Sequence, residues 1–306
     1  VAVPAIIALF GPTGIGKTAV AIALAERLRA AGEDPVAVSA DALQVYRGLE
    51  LLTGAATAEE RTRLEHRLVG FLPVTETTSA GAFAERAHAE IDGLLAAGRR
   101  PIVVGGTGLY LRAALAELDL RPPVAPELRE RRRRDLAARG AATLHAELAE
   151  RSPAAAAGIR PTDAQRVVRA LELLDAGQEP PLAGAASRLW TAELRHPTLL
   201  AGLTMERARL YERIDARVDA MVAAGAAEEV RAAAAAGASP GARQALGFEE
   251  LLAGDVEAMR AQTRRYAKRQ LTWMRRLPGV AAVDVTGREP AEVAAELHAA
   301  VVAREA

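Results

Sequence analysis

The stretch Gly11-Pro12-Thr13-Gly14-Ile15-Gly16-Lys17-Thr18 constrains this chain more than any other. It follows the apolar run Ala5 to Phe10 and opens onto an alanine-rich segment, Ala19 to Arg29. The order is strand, glycine-rich loop, helix, with the G-x-x-x-x-G-K-T spacing of a phosphate-binding loop. Glycines let such a loop curl until its N–H groups face one centre, where they hold phosphate oxygens. The helix adds the positive end of its dipole, Lys17 a point charge, and Thr18 a hydroxyl that can ligate Mg²⁺. A phosphorylated ligand follows from these residues; the chemistry performed on it does not.

The apolar run 36–40 reads as a second buried strand, and Asp41 stands at its carboxyl end. Ligands of open parallel sheets bind just beyond the carboxyl ends of strands, so Asp41 is expected beside the phosphate loop. A carboxylate there can hold Mg²⁺, serve as a general base, or cap a helix. Gln44, Tyr46 and Arg47 follow closely and read as a base-recognition surface. The segment 43–57 reads as a functional loop with short helical turns. Residues 80–97 form an amphipathic helix ended by Gly98, and 101–104 a buried strand running into Gly105-Gly106-Thr107-Gly108. Thr107 can bond an oxygen that gains negative charge, or sit in an ordinary strand-to-helix turn. Three strand–loop units in so short a span argue an α/β fold, a P-loop NTPase-like parallel sheet core with crossover helices.

The pattern changes near Asp119. Arg121 to Pro126 is a breaker cluster, helical patterns run to Ala176 with no strand signal, and 177–197 is loop-like. A strand at 198–203 returns to the sheet, followed by helices near 206–224, 228–236, 248–252 and 256–277, a strand at 280–285 and a terminal helix. We therefore expect a core of 1–118 and 198–306 with a helical insertion, 119–197, and see no internal repeat. Arg131 to Arg134 alternate with acids and read best as a solvated helix face. Arg166 and Arg169, three apart, can track a polyanion backbone. Arg213 and Arg217 can reach the phosphate site or be neutralised by Glu212 and Asp215.

Formal net charge is zero, which alone argues against a nucleic-acid partner. Its distribution argues the other way: Arg260 to Arg276 holds seven basic residues and no acidic one. A bare cationic stripe with interleaved Tyr266 and Trp273 suits a polyanion or a diphosphate. Lys17 and Lys268 are the only two lysines in an arginine-rich chain, a hint that a compact ammonium is needed at Lys17. The absence of cysteine excludes disulfides, thiolate metal sites and cysteine nucleophiles. No apolar run is long enough to span a bilayer, and no signal segment is recognised, so a cytoplasmic protein without a membrane partner is expected.

Six ordered motifs carry a resemblance: Gly-Pro-Thr-x-x-Gly-Lys-Thr (11–18), Asp-x-x-Gln-Val-Tyr-Arg-Gly (41–48), Val-Gly-Gly-Thr-Gly-Leu-Tyr (104–110), Gln-Arg-x-x-Arg-Ala-Leu-Glu (165–172), Gln-Ala-Leu-Gly-Phe (244–248) and Thr-Arg-Arg-Tyr-Ala-Lys-Arg-Gln (263–270). Together they resemble the tRNA dimethylallyltransferase (tRNA isopentenyltransferase) family over nearly the whole chain. The resemblance implies transfer of a dimethylallyl group from dimethylallyl diphosphate to N6 of the adenine 3′-adjacent to the anticodon. It implies that Gly11, Pro12, Thr13, Gly14, Ile15, Gly16, Lys17 and Thr18, helped by Arg217 and by Mg²⁺ on Thr18, hold a diphosphate leaving group. Asp41 would take the N6 proton and Thr107 would orient the reacting groups. Asp41, Ala42, Leu43, Gln44, Thr107, Gln165, Arg166, Val167, Val168, Arg169, Gln244, Gly247, Phe248, Arg264, Lys268 and Arg269 would contact the anticodon stem-loop of tRNA. A monomer is expected. The sequence departs from the family pattern at Ala42 (usually Ser), Ala56 (usually Lys) and Arg67 (usually His). Rival readings are an adenylate isopentenyltransferase acting on AMP, ADP or ATP, an ATP-binding small-molecule kinase, and a non-catalytic RNA-binding module.

Overall fold

A computed structural model describes residues 6–121, 123–182 and 188–305. Ala5 of the first apolar run, Pro122 of the breaker cluster and residues 183–187 of the expected 177–197 loop lie outside the described residues. The chain divides into two compact units, one of 1–118 with 188–306 and one of 119–187.

The larger unit is built on a parallel sheet. In chain order its first elements are β1 (Ile6–Phe10), α1 (Lys17–Ala30), β2 (Pro35–Ser39), β3 (Tyr46–Arg47), α2 (Glu50–Thr53), α3 (Ala58–Arg63), β4 (His66–Arg67), β5 (Leu72–Pro73), α4 (Ala80–Ala96), β6 (Arg100–Gly105) and α5 (Gly108–Leu115). The smaller unit supplies α6 (Pro126–Arg151), α7 (Pro153–Ala156) and α8 (Ala164–Asp175). The chain then returns through β7 (Thr198–Thr204), α9 (Arg207–Ala223), α10 (Ala226–Ala235), α11 (Phe248–Leu252), α12 (Val256–Met274), β8 (Ala281–Asp284) and α13 (Pro290–Glu305).

Six strands pair in the order β4-β2-β6-β1-β7-β8, all parallel, and β3 pairs with β5 separately. β1 and β2 are buried along their whole length, which is why both read as unbroken apolar runs instead of alternating ones. On α1, Val20, Ala21, Leu24, Ala25 and Leu28 form one buried stripe, and α13 answers with Val293, Ala294, Leu297 and Val301. Each large aliphatic in this layer contributes about 1.5–3 kcal/mol by leaving water. The chain leaves β1 toward β2 and β6 on one side and later reaches β7 on the other. A crevice therefore opens beyond the carboxyl end of β1, at the point where the strand order reverses. Among the described residues no helix is long and apolar enough to cross a membrane.

The smaller unit has its own core of Leu144, Leu148, Ala155, Ala156, Val167, Ala170 and Leu171. Gly140 (φ 77°, ψ 161°) breaks α6 into two helices, a kink that the continuous helical pattern did not reveal. The expected solvated face at Arg131 to Arg134 is corrected at Arg132, which is buried. Its guanidinium bonds Asp175 at 2.6 and 2.8 Å and Glu147 at 2.7 Å. Burial opposes the Asp175 charge, but bonds from Arg132, Arg151 and Arg131 outweigh it and hold that carboxyl well below its usual range. The acids that organise Arg132 lie up to 43 residues away, beyond any local reading of charge alternation.

Candidate active site

Gly14 (φ 81°) and Gly16 (φ 99°) sit in the left-handed region, which turns the loop tightly enough to deliver Lys17 to the start of α1. Lys17 Nζ donates to the carbonyls of Gly11 at 2.9 Å and Pro12 at 3.1 Å. Burial pulls its ammonium down to about 8; Asp41 pulls the other way, and Arg217 adds to the lowering. Asp41 Oδ1 accepts from the Leu43 N–H at 3.0 Å, which fixes the carboxylate at the end of β2. Arg217, on α9, donates to the Gly54 carbonyl at 3.4 Å, and Arg213 to the Gly14 carbonyl at 3.0 Å. Neither is neutralised by the neighbours suggested from sequence: Glu212 pairs with Arg209, and Asp215 with Arg264.

These groups face a cleft of about 430 Å³ lined by Thr13, Gly14, Gly16, Lys17, Thr18, Asp41, Leu43, Gln44 and Arg217. Leu52, Met221, Leu246 and Met259 add apolar surface to its lining. Of the remaining loop residues, Ile15 packs in the core and Gly11 and Pro12 are buried. Ala56 lines the cleft where the family pattern has lysine, whereas Arg67 turns to Glu65 at 2.6 Å.

Two groups that sequence reasoning had not assigned a role complete the site. Tyr266, on α12, bonds Thr107 Oγ1 at 3.0 Å, so Thr107 meets the cleft through this phenol. Burial pushes Tyr266 up to about 12, with the nearby Asp41 charge adding to it, so the phenol stays neutral near pH 7. Gln270, also on α12, bonds both the phosphate loop and the β6 turn. Both residues stood within the 263–270 motif; what hid them was that their partners lie more than 150 residues away.

The expected RNA contacts divide. On α12, Arg265, Lys268 and Arg269 are exposed, as is Arg275 just past its end, and Arg269 lies over the Tyr266 ring. The stripe is less bare than its sequence: Arg264 bonds Asp215 at 2.7 Å, and Arg260 pairs with Asp219 and Glu257. Acids of the neighbouring α9 supply what the helix lacks. Gln244 is exposed, but Phe248 is fully buried, and Gly247 turns the chain into α11 with its Cα side closed by Met259. On α8, Gln165 and Arg166 are exposed, while Val167 belongs to the core and Val168 packs against it. Arg169 turns to Glu172 at 3.2 Å. Val167 and Phe248 thus correct the expectation that their side chains touch a ligand: helical periodicity turns both inward. Gln44 is spent within the chain, accepting from Ser39 Oγ at 2.9 Å and donating to the Gly54 carbonyl at 3.2 Å. Of the expected base-recognition surface, Gln44 still lines the cleft and Arg47 is exposed, whereas Tyr46, 2% exposed, is corrected to a packing residue. Ala42 is partly exposed.

Among the described residues no three His, Cys, Asp or Glu side chains gather as a metal cage. A hydroxyl at Thr18 facing a phosphate loop nonetheless fits a hard divalent ion that keeps its waters and binds mainly through substrate oxygens.

The family model described as IPP transferase matches residues 44–277. The tRNA dimethylallyltransferase of Anaeromyxobacter dehalogenans (strain 2CP-C) is 46% identical over 285 residues, 88% of this chain and 91% of that protein. That of Thermobifida fusca is 42% identical over 287 residues, 90% and 88%. Among solved structures, the tRNA isopentenylpyrophosphate transferase of Bacillus halodurans superimposes with a TM-score of 0.70 at 32% identity, covering 98% of this chain and 96% of that one. A eukaryotic dimethylallyltransferase acting on tRNA gives 0.74 at 26% identity, covering 92% and 74%. A parallel sheet with a phosphate loop at its switch point, and relatives matched almost end to end, lead to one assignment: the chain belongs to the IPP transferase family.

Proposed function

We propose that this protein transfers a dimethylallyl group from dimethylallyl diphosphate to N6 of the adenine 3′-adjacent to the anticodon in tRNA. The observation that carries the reading is the meeting of Lys17, Arg217 and Asp41 in one cleft: two cations for a leaving anion and one carboxylate for a proton. The diphosphate lies in the 11–18 loop, its charge met by Lys17, Arg217 and the start of α1. Thr18 would hold Mg²⁺, which supplies further neutralisation of the diphosphate when bound. The N6 nitrogen attacks the allylic carbon as the carbon–oxygen bond to diphosphate breaks and diphosphate departs with the bonding pair. The N6 proton passes to Asp41 Oδ2, since Oδ1 is engaged by Leu43. Thr107, held by Tyr266, orients the reacting groups. The adenine leaves its stack to enter the cleft, and the exposed cations of α12 hold the RNA backbone outside it. We take the acting form to be a monomer, and the cytoplasm to be its expected site of action.

The direct test supplies labelled dimethylallyl diphosphate with an anticodon stem-loop, with AMP, or with neither, alongside an assay of γ-phosphate transfer from ATP. Label on the stem-loop is expected. Label on AMP alone, or phosphate transfer alone, would overturn the reading.

Two further results are expected. Replacing both Lys268 and Arg269 with alanine should weaken stem-loop binding and lower the slope of log K against log salt by about 1.5, the release of two counterions. An unchanged slope would return this face to a structural role. Donor affinity should also depend on pH through Lys17. Below pH 8 the ammonium is already charged when diphosphate arrives; above it binding must recharge the group, so affinity falls by up to about tenfold per pH unit. Calorimetry with inorganic diphosphate from pH 6.5 to 9.5, compared with Lys17→Arg, which does not titrate there, separates this from titration of the ligand.

A further inference from the structure

Gln270 is 4% exposed and spans the two catalytic loops. Its Oε1 accepts from the Thr13 N–H at 2.9 Å and its Nε2 donates to the Gly106 carbonyl at 2.7 Å. The backbone fixes the orientation of the amide, because an N–H only donates and a carbonyl only accepts. No other common side chain of this shape meets both demands at neutral pH: a carboxylate repels the Gly106 oxygen, and a thioether serves neither group. The space is made for it. A Cβ on Gly106 would overlap the Gln270 amide and stand 3.4 Å from Lys17 Nζ and 3.3 Å from the Gly11 carbonyl. One turn back on the same helix, Tyr266 holds Thr107. Lys268 and Arg269, between Tyr266 and Gln270, face outward.

We propose, resting on the reading of the cleft given above, that Gln270 is a positioning residue for the transfer reaction. Its carboxamide sets the separation of the phosphate loop from the turn that carries Thr107, and so places the diphosphate opposite Asp41 and Thr107. The helix that presents cations to RNA is thereby the same rigid element that shapes the donor cradle. Gln270 borders the cleft, and it acts through its bonds to Thr13 and Gly106.

The test uses the full chain with Gln270→Glu and Gln270→Met. Both should lose roughly 100-fold in kcat, the scale of an ångström-sized misplacement, and bind inorganic diphosphate at least tenfold more weakly. Stem-loop affinity, set on the outer face, should stay within about twofold. The Glu variant carries its own control. Once protonated, its carboxyl again donates to Gly106 and accepts from Thr13, so its kcat relative to the unsubstituted protein should climb as pH falls from 8 to 5.5. Lys17 and Tyr266 are the titratable groups facing this position, with Asp41 beside them; a carboxylate at 270 couples to all three, so the Met variant, which adds no charge, sets the baseline for their own titration. The Met variant should show no such recovery. Full activity in either variant at neutral pH, or a flat Glu ratio, would overturn the proposal. Failure of the unsubstituted protein to label RNA would overturn the proposed function instead, and the diphosphate-binding comparison would still decide whether Gln270 shapes the cradle.

Discussion

Replacing Asp41 with asparagine should lower the transfer rate by about 10³-fold, the middle of the range for loss of a positioned general base. Asparagine keeps the size of the side chain and an oxygen for the Leu43 N–H, so the end of β2 should hold its shape. Donor affinity should therefore change little, which separates loss of chemistry from loss of the site. The other candidates for the base are weaker. Tyr266 and Tyr110 are both pushed up to about 12, burial first, so neither phenol accepts a proton from an attacking amine near pH 7. His66 also lines the cleft, with Nδ1 bonded to the Leu64 carbonyl at 2.6 Å. A substantial rate in Asp41→Asn, abolished by His66→Gln, would move the role to the histidine. The comparison belongs at or below pH 7. Asp41 favours the charged form of Lys17, so removing it drops the ammonium further below its present value of about 8. At higher pH the variant would lose donor binding for a reason unrelated to proton abstraction.

What the sequence discloses here is what short-range order encodes. The Gly14 and Gly16 turns, the buried runs of β1 and β2, and the position of Asp41 at a strand end all follow from residues within one strand–loop–helix unit. The parallel pairing of the strands follows as well, because strands joined by crossover helices have few allowed arrangements, whereas their order and the short strands β3, β4 and β5 do not. The residues that tie those units together are different. Gln270 and Tyr266 act across 257 and 159 residues, and nothing in their local pattern separates them from Thr263 or Ala267 on the same helix. The cationic stripe misleads for the same reason: its counter-charges at Asp215 and Asp219 belong to α9. Val167 and Phe248 err in the opposite direction. A motif names consecutive residues, whereas a helix gives only one side of itself to a ligand and turns the rest to its core.

Exchanging Lys17 for methionine should cost about 10²- to 10³-fold in kcat, the usual loss when one preorganised charge at a developing anion is removed. Methionine fills much of the lysine stem, so α1 keeps its start and the loop its path. The loss should exceed any fall in stem-loop affinity, because Lys17 lines the cleft whereas the cations proposed to hold RNA are exposed on α12. Arginine should rescue poorly: Nζ sits between the Gly11 and Pro12 carbonyls at 2.9 and 3.1 Å, a seat for a compact ammonium and not for a planar fork. The decisive signature is in the pH profile. Donor affinity of the unsubstituted protein should decline above pH 8 as the buried ammonium loses its proton, whereas the methionine variant, weak throughout, should show no Lys17-linked decline. If both proteins decline alike, the titrating group is elsewhere. A lysine that merely braced the loop would leave the donor affinity of the unsubstituted protein level above pH 8 and kcat at saturating donor unharmed, and on that outcome the assignment of Lys17 to the departing diphosphate would fall.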